Sequence, residues 1–528
     1  MPEGLGLPAA ARALTLPGPF RLEYGGSLPS VTLGFHTYGA LAPDGRNAVL
    51  VGHSLTSNSA VHEWWGPLIG PGPAFALDTS RFFVVCVNYL GSVYGSSGPL
   101  SPSPSGAPLS ADFPVATVKD NAAAQRALLA ALGVRSVALA IGGSLGGMLA
   151  LEVAAAAGAE GVRALCVVGS CGRHPDWAIG LGEAGRQAIY ADPAWAGGYY
   201  ARQGSAPPLA GMSVARQLAM LSYRTPQSLA AKFGRKEVAG GRSAALRAAQ
   251  GLGPPAQGAS ASAPCPGAPP PLYEVEGYLN YQGAKFQRRF DPLAYVRLTQ
   301  LLDSHDLGRG RGAGGDYRAA LAALRQRALV VGIDSDLLYP VRLARPLSPL
   351  PLSLSVSSRP SPLHSPPRLP HYCQFELSKE MAELIPGAEL HAISSPHGHD
   401  SFLIEIQALN ATLVAWRDRV LPAEEEEGGE GEQPSGGEAA LLAHAQWQTG
   451  SGSLRKRFVF RDAQALRTFG MRAADVLLAA GRGGSPLTAA PPGSGAAECV
   501  VELARGEVAL AMRLDEVAAE LQLGGRWN

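Results

Sequence analysis

The chain has 528 residues, of which 46% are hydrophobic, enough for a large core. Its 44 Lys and Arg residues nearly balance 43 Asp and Glu residues, leaving a net charge of +1. This balance gives no electrostatic reason to expect nucleic acid or an anionic membrane as a partner. The six cysteines are scattered without a CxxC pair, which favours reduced thiols inside a cell. The expected partners are therefore small molecules.

The chain carries no clear targeting signal. No apolar stretch reaches the roughly 20 residues needed to cross a bilayer, and the N-terminal residues lack a charged segment followed by an apolar signal core. We therefore expect a cytoplasmic protein. Import into a chloroplast or mitochondrion is the alternative, because Arg12 and Arg21 lie among Ala, Pro and Gly, although the same stretch contains Glu3.

Short apolar runs typical of strands alternate with helical segments, of which residues 117–132 are an example. Strands that alternate with helices predict an α/β fold with a mostly parallel sheet covered on both faces. The predicted strands are residues 47–52, 81–87, 137–141, 164–168, 328–333 and 389–393.

The same pattern predicts the domains. Residues 18–176 and 324–420 form the sheet domain, and the mostly helical residues 177–323 form a cap inserted into it. Residues 237–271, rich in Gly, Ala, Ser and Pro, are predicted to be a disordered loop of the cap. Residues 342–370, rich in Pro, Leu and Ser, interrupt what should be a short connection. They are either a genuine exposed loop or translated sequence from an imperfect gene model.

The C-terminal region has a different composition. Residues 421–450 include a run of glutamates and are predicted to be an acidic linker. Residues 451–528 form a tail with helical pieces at 462–480 and 508–523. No motif in this tail indicates a role.

A strand-like run ends in the pattern Gly-x-Ser-x-Gly at Gly142 to Gly146 and is followed by small residues typical of a helix. This arrangement is typical of a sharp strand-to-helix turn that exposes a nucleophile, here Ser144. A helix N-terminus beside the serine favours developing negative charge. By itself, however, the pattern is equally consistent with an ordinary Gly/Ser turn.

A serine hydroxyl becomes a strong nucleophile only with a histidine base that is oriented by a carboxylate. On a strand-to-helix turn, the expected chain order is Ser, then Asp or Glu, then His. Asp334 and Asp336 follow the fifth predicted strand, and His397 and His399 follow the sixth. From their chemistry alone, either acid and either histidine could serve.

The oxyanion of an acyl-transfer intermediate needs two backbone N–H donors. One is predicted at Leu145, directly after the serine. The other is predicted in the loop after the first predicted strand, at Leu55 or Thr56. His53 in that loop is a rival base, but its place before the serine in the chain fits the loop role better.

These residues, with further motifs, resemble the homoserine O-acetyltransferases, acyltransferases of methionine biosynthesis in the α/β-hydrolase superfamily. The resemblance spans about residues 20–414 apart from the two insertions. The matching motifs are Leu55-Thr56 with Trp64-Trp65, Leu68-Ile-Gly-Pro-Gly72, Asn88-Tyr-Leu-Gly-Ser-Val-Tyr-Gly-Ser-Ser-Gly98, Gly142-Gly-Ser-Leu-Gly-Gly-Met148, Arg186-Gln-Ala-Ile-Tyr-Ala-Asp-Pro193, Gly197-Gly-Tyr-Tyr200, Leu221-Ser-Tyr-Arg-Thr-Pro226, Tyr278-Leu-Asn-Tyr-Gln-Gly283, Lys285-Phe286, Arg289-Phe-Asp291 and Asp303-Ser-His-Asp306.

The resemblance implies an α/β-hydrolase fold with a helical cap, Asp336 as the acid and His399 as the base of Ser144. It also implies that Arg224 and Asp400 bind an amino-acid substrate, a role that suits a guanidinium facing an α-carboxylate and a carboxylate facing an α-ammonium group. The insertion a few residues after Asp336 could displace the loop that carries this acid.

The expected reaction is transfer of an acetyl group from acetyl-CoA to the side-chain hydroxyl of L-homoserine through an acyl-serine. Acetyl-CoA is a co-substrate, and we expect no permanently bound cofactor and no metal. Relatives suggest a homodimer. The alternatives are a succinyl donor, serine as the acceptor, a plain esterase, or a binding protein without catalysis.

Overall fold

The computed structural model describes residues 12–238, 272–339 and 376–422, and the strands at 448–449, 453–460, 487–489 and 497–504. Apart from its first two residues, the predicted loop 237–271 lies outside the described residues. The insertion 342–370, most of the acidic linker and the predicted helical pieces of the tail also lie outside them. The chain divides into two units, one of residues 1–70 and 75–423, the other of residues 71–74 and 424–528.

The first unit is built on an eight-stranded sheet with the order β1-β2-β6-β3-β7-β8-β9-β10 in the described part of the chain. The six strands from β6 to β10 in this order pair in parallel, and β1 and β2 are antiparallel. The separate β4 and β5 pair with each other. The strands are β1 Arg12–Arg21, β2 Ser27–Tyr38, β3 Ala48–Gly52, β4 Ile69–Gly70, β5 Leu77–Asp78, β6 Phe83–Val87, β7 Val137–Gly143, β8 Val162–Val168, β9 Arg327–Ile333 and β10 Glu389–Ile393.

All six predicted strands are present, and the predicted mostly parallel sheet is confirmed. β1 and β2 were not predicted from the sequence, and in the described residues the sheet begins at Arg12 rather than near residue 18. For β1 the reason is local: Pro17, Gly18 and Pro19 interrupt this strand, and its register shifts between Pro17 and Phe20. This break removes the continuous period of two that marks a strand.

Five of the parallel strands, β3, β6, β7, β8 and β9, are buried on both faces along nearly their whole length, which explains their unbroken apolar runs, whereas the edge strand β10 is mostly exposed. Alternate residues of one strand enter different clusters. In β8, Leu165 and Val167 join one core, whereas Cys166 and Val168 join the other. The first core also contains residues of the two helices that flank β7, and the second contains Trp416 of the last helix of this unit.

Helices cover both faces and form the cap. The cap lies between β8 and β9, where α4 packs against α6 and α6 against α8. The helices are α1 Val61–Trp64, α2 Val118–Ala131, α3 Leu145–Gly161, α4 Asp176–Tyr190, α5 Tyr200–Gln203, α6 Leu209–Ser222, α7 Pro226–Phe233, α8 Glu274–Gln287, α9 Pro292–Asp303, α10 Tyr317–Ala322, α11 Glu376–Leu384, α12 Ser401–Ile404 and α13 Ile406–Val420.

The second unit contains an antiparallel sheet with the order β11-β12-β14-β13. Its strands are β11 Gln448–Thr449, β12 Ser453–Phe460, β13 Leu487–Ala489 and β14 Ala497–Ala504. These strands were not predicted from the sequence. The pattern was weak because three consecutive basic residues at 455–457 interrupt the alternation within β12. Among the helices of the described residues, none has the length and apolarity to cross a membrane.

Candidate active site

The sharp turn at Ser144, called the elbow below, joins β7 to α3. Ser144 has φ 57° and ψ −121°, a conformation that L-residues rarely adopt. The turn requires very close backbone approach: a Cβ atom on Gly142 would overlap the backbone of Gly146, and one on Gly146 would overlap the backbone of Gly52. The Ser144 N–H donates to the carbonyl of Val168 at 2.9 Å, which ties the elbow to β8. The structure therefore holds the serine on the strained turn that the sequence predicted.

The structure brings Ser144, His399 and Asp336 together. His399 Nδ1 lies 2.7 Å from Asp336 Oδ2, and His399 Nε2 lies 2.9 Å from Ser144 Oγ. Because an ionised carboxylate can only accept, Nδ1 donates to Asp336 and Nε2 is left to accept the serine proton. All three residues are buried. The order of groups is that of a nucleophile, a base and an acid.

The acid loop is held by backbone groups. Asp336 Oδ1 accepts hydrogen bonds from the N–H groups of Leu338 at 2.8 Å and Tyr339 at 3.1 Å. Oδ2 remains directed to the histidine. The insertion that begins a few residues later does not displace Asp336 from His399.

The alternative acid and the neighbouring histidine make other contacts. Asp334 accepts a hydrogen bond from Ser394 Oγ at 2.7 Å and another from the N–H of Ser395 at 3.2 Å. His397 Nδ1 lies 3.1 Å from Ser228 Oγ in α7. These contacts tie the loop after β10 to the loop after β9 and to the cap. Geometry thus selects Asp336 and His399, the same residues that the resemblance implied.

His53 supports the loop after β3. Its Nδ1 donates to the carbonyl of Ser54 at 2.8 Å, and its ring lies 4.3 Å from that of Tyr89. Burial lowers the pKa of His53 to about 4, so the ring is neutral. The Tyr89 hydroxyl donates to the His53 carbonyl at 2.7 Å. His53 therefore acts as a fixed part of the loop that presents Leu55 and Thr56.

Opposing effects determine the pKa of His399. Burial lowers its pKa, but the charge of Asp336, the hydrogen bond from His399 to Asp336 and the charge of Asp400 raise it, and the net pKa lies above the usual value. Burial also raises the pKa of Asp400, although Arg224 and His399 oppose this effect. A base with a raised pKa accepts the serine proton more readily, provided that it is neutral at the start.

Aromatic rings enclose the base. The ring centroid of His399 lies 5.1 Å from Tyr339, 5.7 Å from Phe402 and 6.0 Å from Tyr223. The Tyr339 hydroxyl is buried, and burial raises its pKa well above the usual value. These neighbours keep water away from the imidazole. The sequence analysis assigned none of them a role, because their proximity depends on loops distant in the chain.

A cavity of about 180 Å³ opens beside Ser144 and His399. Leu55 and Thr56, where the second oxyanion donor is predicted, line it. Leu145 is the first residue of α3, so its N–H is among those that a helix cannot bond internally. The full lining consists of Ser54, Leu55, Thr56, Ser57, Ser144, Arg216, Tyr223, Arg289, Leu302, Leu338, His399, Asp400, Phe402 and Leu403.

Charged groups occupy another part of the lining. Asp400 lies in the cavity wall, and its Oδ2 is 3.2 Å from Nε of Arg224. The two predicted substrate-binding residues are therefore adjacent. Arg216 and Arg289 also line the cavity. Neither was predicted from the sequence as a site residue, although Arg289 stands in a matched motif; Arg216 lies in α6, which ends at Ser222, just before Arg224.

A metal site requires several ligand side chains close together. Over residues 12–238, 272–339 and 376–422, no group of three or more His, Cys, Asp or Glu side chains is arranged to hold a metal ion.

Comparisons with known proteins agree with this geometry. A family model described as alpha/beta hydrolase fold matches residues 47–260. The homoserine O-acetyltransferase of Salinibacter ruber is 40% identical over 414 residues, covering 78% of this chain and 98% of that protein. The enzyme of the same name from Trichormus variabilis is 38% identical over 76% of this chain and 92% of its own.

The chain belongs to the homoserine O-acetyltransferase family. A fungal member of this family, from Emericella nidulans, is 33% identical over 76% of this chain and 86% of its own. The fold and the family that the sequence predicted are thus confirmed.

Solved structures show how widely the fold is shared. The crystal structure of homoserine O-acetyltransferase from Bacillus anthracis has a TM-score of 0.59 and 21% identity, covering 77% of this chain and 97% of its own. Esterase E22 has a TM-score of 0.57 and 21% identity, covering 77% and 99%. At this identity the likeness concerns the fold alone, which serves both transferases and esterases.

Proposed function

We propose that this protein transfers an acetyl group from acetyl-CoA to the side-chain hydroxyl of L-homoserine through an acyl-serine at Ser144. One observation carries the proposal: the hydrogen-bonded series of Asp336, His399 and Ser144 opens into a cavity that also holds Asp400. Family membership supports the choice of donor and acceptor, because the relatives are named homoserine O-acetyltransferases.

In the first half-reaction, His399 Nε2 takes the proton of Ser144 as Oγ attacks the thioester carbonyl. The resulting oxyanion accepts hydrogen bonds from the N–H of Leu145 and from that of Leu55 or Thr56. The carbon–sulfur bond then breaks, and the thiolate takes the proton from His399. Free CoA leaves, and the acetyl group remains on Ser144.

In the second half-reaction, L-homoserine enters the same cavity. Asp400 accepts hydrogen bonds from its ammonium group, and Arg224 faces its carboxylate. His399 takes the proton of the homoserine hydroxyl, whose oxygen attacks the acyl-serine. When the intermediate collapses, Ser144 Oγ leaves and recovers its proton from His399. The product is O-acetyl-L-homoserine, and the enzyme returns to its starting state.

Transfer rather than hydrolysis requires that water be outcompeted at the acyl-serine. The rings of Tyr223, Tyr339 and Phe402 around His399 support this, because they limit access of water to the base. Asp400 and Arg224, which bind the two charged groups of homoserine, hold its hydroxyl in the right orientation. A plain esterase would need neither feature.

The remaining parts of the proposal concern the cofactor, the compartment and the assembly of the protein. Acetyl-CoA acts as a co-substrate without a permanently bound cofactor, and the protein works in the cytoplasm, with a homodimer as its expected assembly. The buried free thiols Cys86, Cys166 and Cys171 are compatible with a reducing compartment.

The test combines both half-reactions. The full chain is incubated with acetyl-CoA, and the peptide that contains Ser144 is analysed by mass spectrometry, followed by addition of L-homoserine. We expect acetylation at Ser144, its removal by homoserine, and formation of O-acetyl-L-homoserine. The Ser144→Ala variant should lose the adduct, and its kcat should fall by about 10⁶-fold.

Parallel incubations with succinyl-CoA and with L-serine identify the donor and the acceptor. Faster turnover of either would replace the corresponding substrate in the proposal. If homoserine does not accelerate CoA release and acetate is the sole product, the protein is an esterase. Unchanged thioester turnover in Ser144→Ala would refute the nucleophile.

A further inference from the structure

Two arginines in the cavity lack an anionic partner. Arg216 of α6 and Arg289, just after α8, both line the cavity beside Ser144. Within the described residues, no carboxylate lies within ion-pair distance of either guanidinium group. Arg224, by contrast, is paired with Asp400. The cavity therefore carries positive charge at these two residues that no carboxylate of the described residues pairs with.

Their surroundings make this charge costly. Arg216 lies 5.1 Å and Arg289 5.6 Å from the centroid of the Phe286 ring, so both guanidinium groups share one apolar platform. Burial lowers the pKa of Arg289, the neighbouring Tyr94 raises it, and repulsion from Arg216 lowers it again. Glu63 also attracts Arg289 but forms no ion pair with it. Two like charges that are both partly buried beside one ring favour binding of an anion near them.

The size of the cavity selects the anion. Its volume of about 180 Å³ holds a small amino acid, whereas from acetyl-CoA it would receive only the uncharged thioester end of the pantetheine arm. The CoA phosphates lie at the far end of that arm from the thioester. In homoserine, only three carbons separate the hydroxyl oxygen from the carboxyl carbon. A homoserine whose hydroxyl approaches Ser144 therefore has its carboxylate inside the same cavity.

We propose that Arg216 and Arg289 form the subsite for the α-carboxylate of the amino-acid acceptor, in addition to Arg224. The proposal rests on the proposed function. Asp400 binds the ammonium group, and the two unpaired guanidinium groups bind the carboxylate. Since Arg224 is balanced by Asp400, the net positive charge that attracts the carboxylate comes from Arg216 and Arg289.

The test compares L-homoserine with L-homoserine amide, which keeps the hydroxyl and the amine but lacks the carboxylate charge. In the unmodified protein, we expect kcat/KM for homoserine to exceed that for the amide by about 100-fold. In Arg216→Met, which keeps a long apolar chain on Phe286, this preference should fall at least about tenfold. The burst of CoA release from acetyl-CoA, measured in the same variant, reports the first half-reaction separately.

Three further variants sharpen the result. Arg289→Met should reduce the preference for homoserine as Arg216→Met does, and Arg216→Lys should restore part of it. Arg288→Met is the matched control, because Arg288 is an exposed neighbour of Arg289 and does not line the cavity. This control should behave as the unmodified protein.

Different outcomes separate the explanations. If the KM for acetyl-CoA rises while the homoserine preference stays, the arginines bind the donor and the proposal is wrong. If both half-reactions weaken with an unchanged preference, their role is structural and the proposal is also wrong.

If the unmodified protein does not acylate homoserine at all, the proposed function fails. Calorimetric binding of homoserine and its amide to the Ser144→Ala variant then tests the subsite by itself. Equal affinities for the two compounds, or no binding of homoserine, would overturn it.

Discussion

The sheet side and the cap side of the cavity satisfy their polar groups in different ways. On the sheet side, Ser144, His399 and Asp336 bond to one another at 2.7 to 2.9 Å. On the cap side, Arg216 and Arg289 lie 5.1 and 5.6 Å from the centroid of the Phe286 ring, and neither pairs with a carboxylate of the part of the chain that the structure describes. The groups proposed for chemistry are therefore preorganised in the free protein, whereas those proposed for recognition are completed by the substrate.

This contrast explains how one fold serves several reactions. The elbow, the acid loop and the histidine loop suit acyl transfer to any acceptor, and the fold is shared with an esterase. The charged groups of the cap, together with Asp400, would restrict the acceptor to an amino acid. Three experiments test whether the two sides are as separable as their contacts indicate.

The largest effect is expected on the sheet side, from Asp336→Asn. The amide cannot hold His399 in the required tautomer, so the rate of acyl-enzyme formation should fall by about 10⁴-fold. The apparent pKa in the pH profile of the remaining activity should also decrease. Without the Asp336 charge, less opposes the lowering of the His399 pKa by burial. Stopped-flow measurement of CoA release between pH 5 and 9 gives both quantities.

Asp334→Asn is the matched control for this variant. Asp334 ends the same strand but bonds to Ser394 and Ser395, so its loss should leave the pH profile unchanged. An equal loss of rate in both variants would mean that the loop had been disrupted and that the Asp336 charge is not essential.

The second effect concerns the free energy of unfolding. In Gly146→Ala, the new methyl group overlaps the backbone of Gly52, so the free energy of unfolding should fall by about 2 kcal/mol. In the cap, Gly180→Ala of α4 meets no atom within 4 Å and should instead stabilise the protein by up to about 1 kcal/mol. Denaturant unfolding of both variants measures this contrast. Equal stability would show that the elbow adjusts more easily than its contacts indicate.

The smallest effect is a pH dependence of acceptor binding. Burial raises the pKa of Asp400, so this carboxylate takes up its proton at a higher pH than an ordinary aspartate. Protonation removes the partner of the substrate ammonium group. The KM for homoserine should therefore rise as the pH falls, by up to about tenfold per pH unit once the pH is below that pKa.

Steady-state assays between pH 5 and 8 measure this dependence. The Asp400→Asn variant is the control: its KM for homoserine should be high and flat across the same range. A KM that is independent of pH in the unmodified protein would exclude Asp400 as the ammonium partner.

Much of the site was predictable because its signals are local or follow chain order. The Gly-x-Ser-x-Gly turn is a contiguous pattern, and its close packing against Gly52 explains why small residues are needed. The acids and histidines follow strands, and the ends of parallel strands meet at one edge of a sheet. Their chemistry alone did not separate Asp334 from Asp336 or His397 from His399. The family motifs pointed to one of each, and hydrogen bonds in the structure agree.

The sequence by itself determined the α/β sheet, the elbow, and the order of nucleophile, acid and base, since each depends on local pattern or chain order. The tertiary structure alone decided which groups lack a partner. Arg216 and Arg289 are separated by about half of the cap sequence, yet they share Phe286 and one cavity. Whether a charge is neutralised depends on every element packed around it, and this information does not reside in any single segment of the chain.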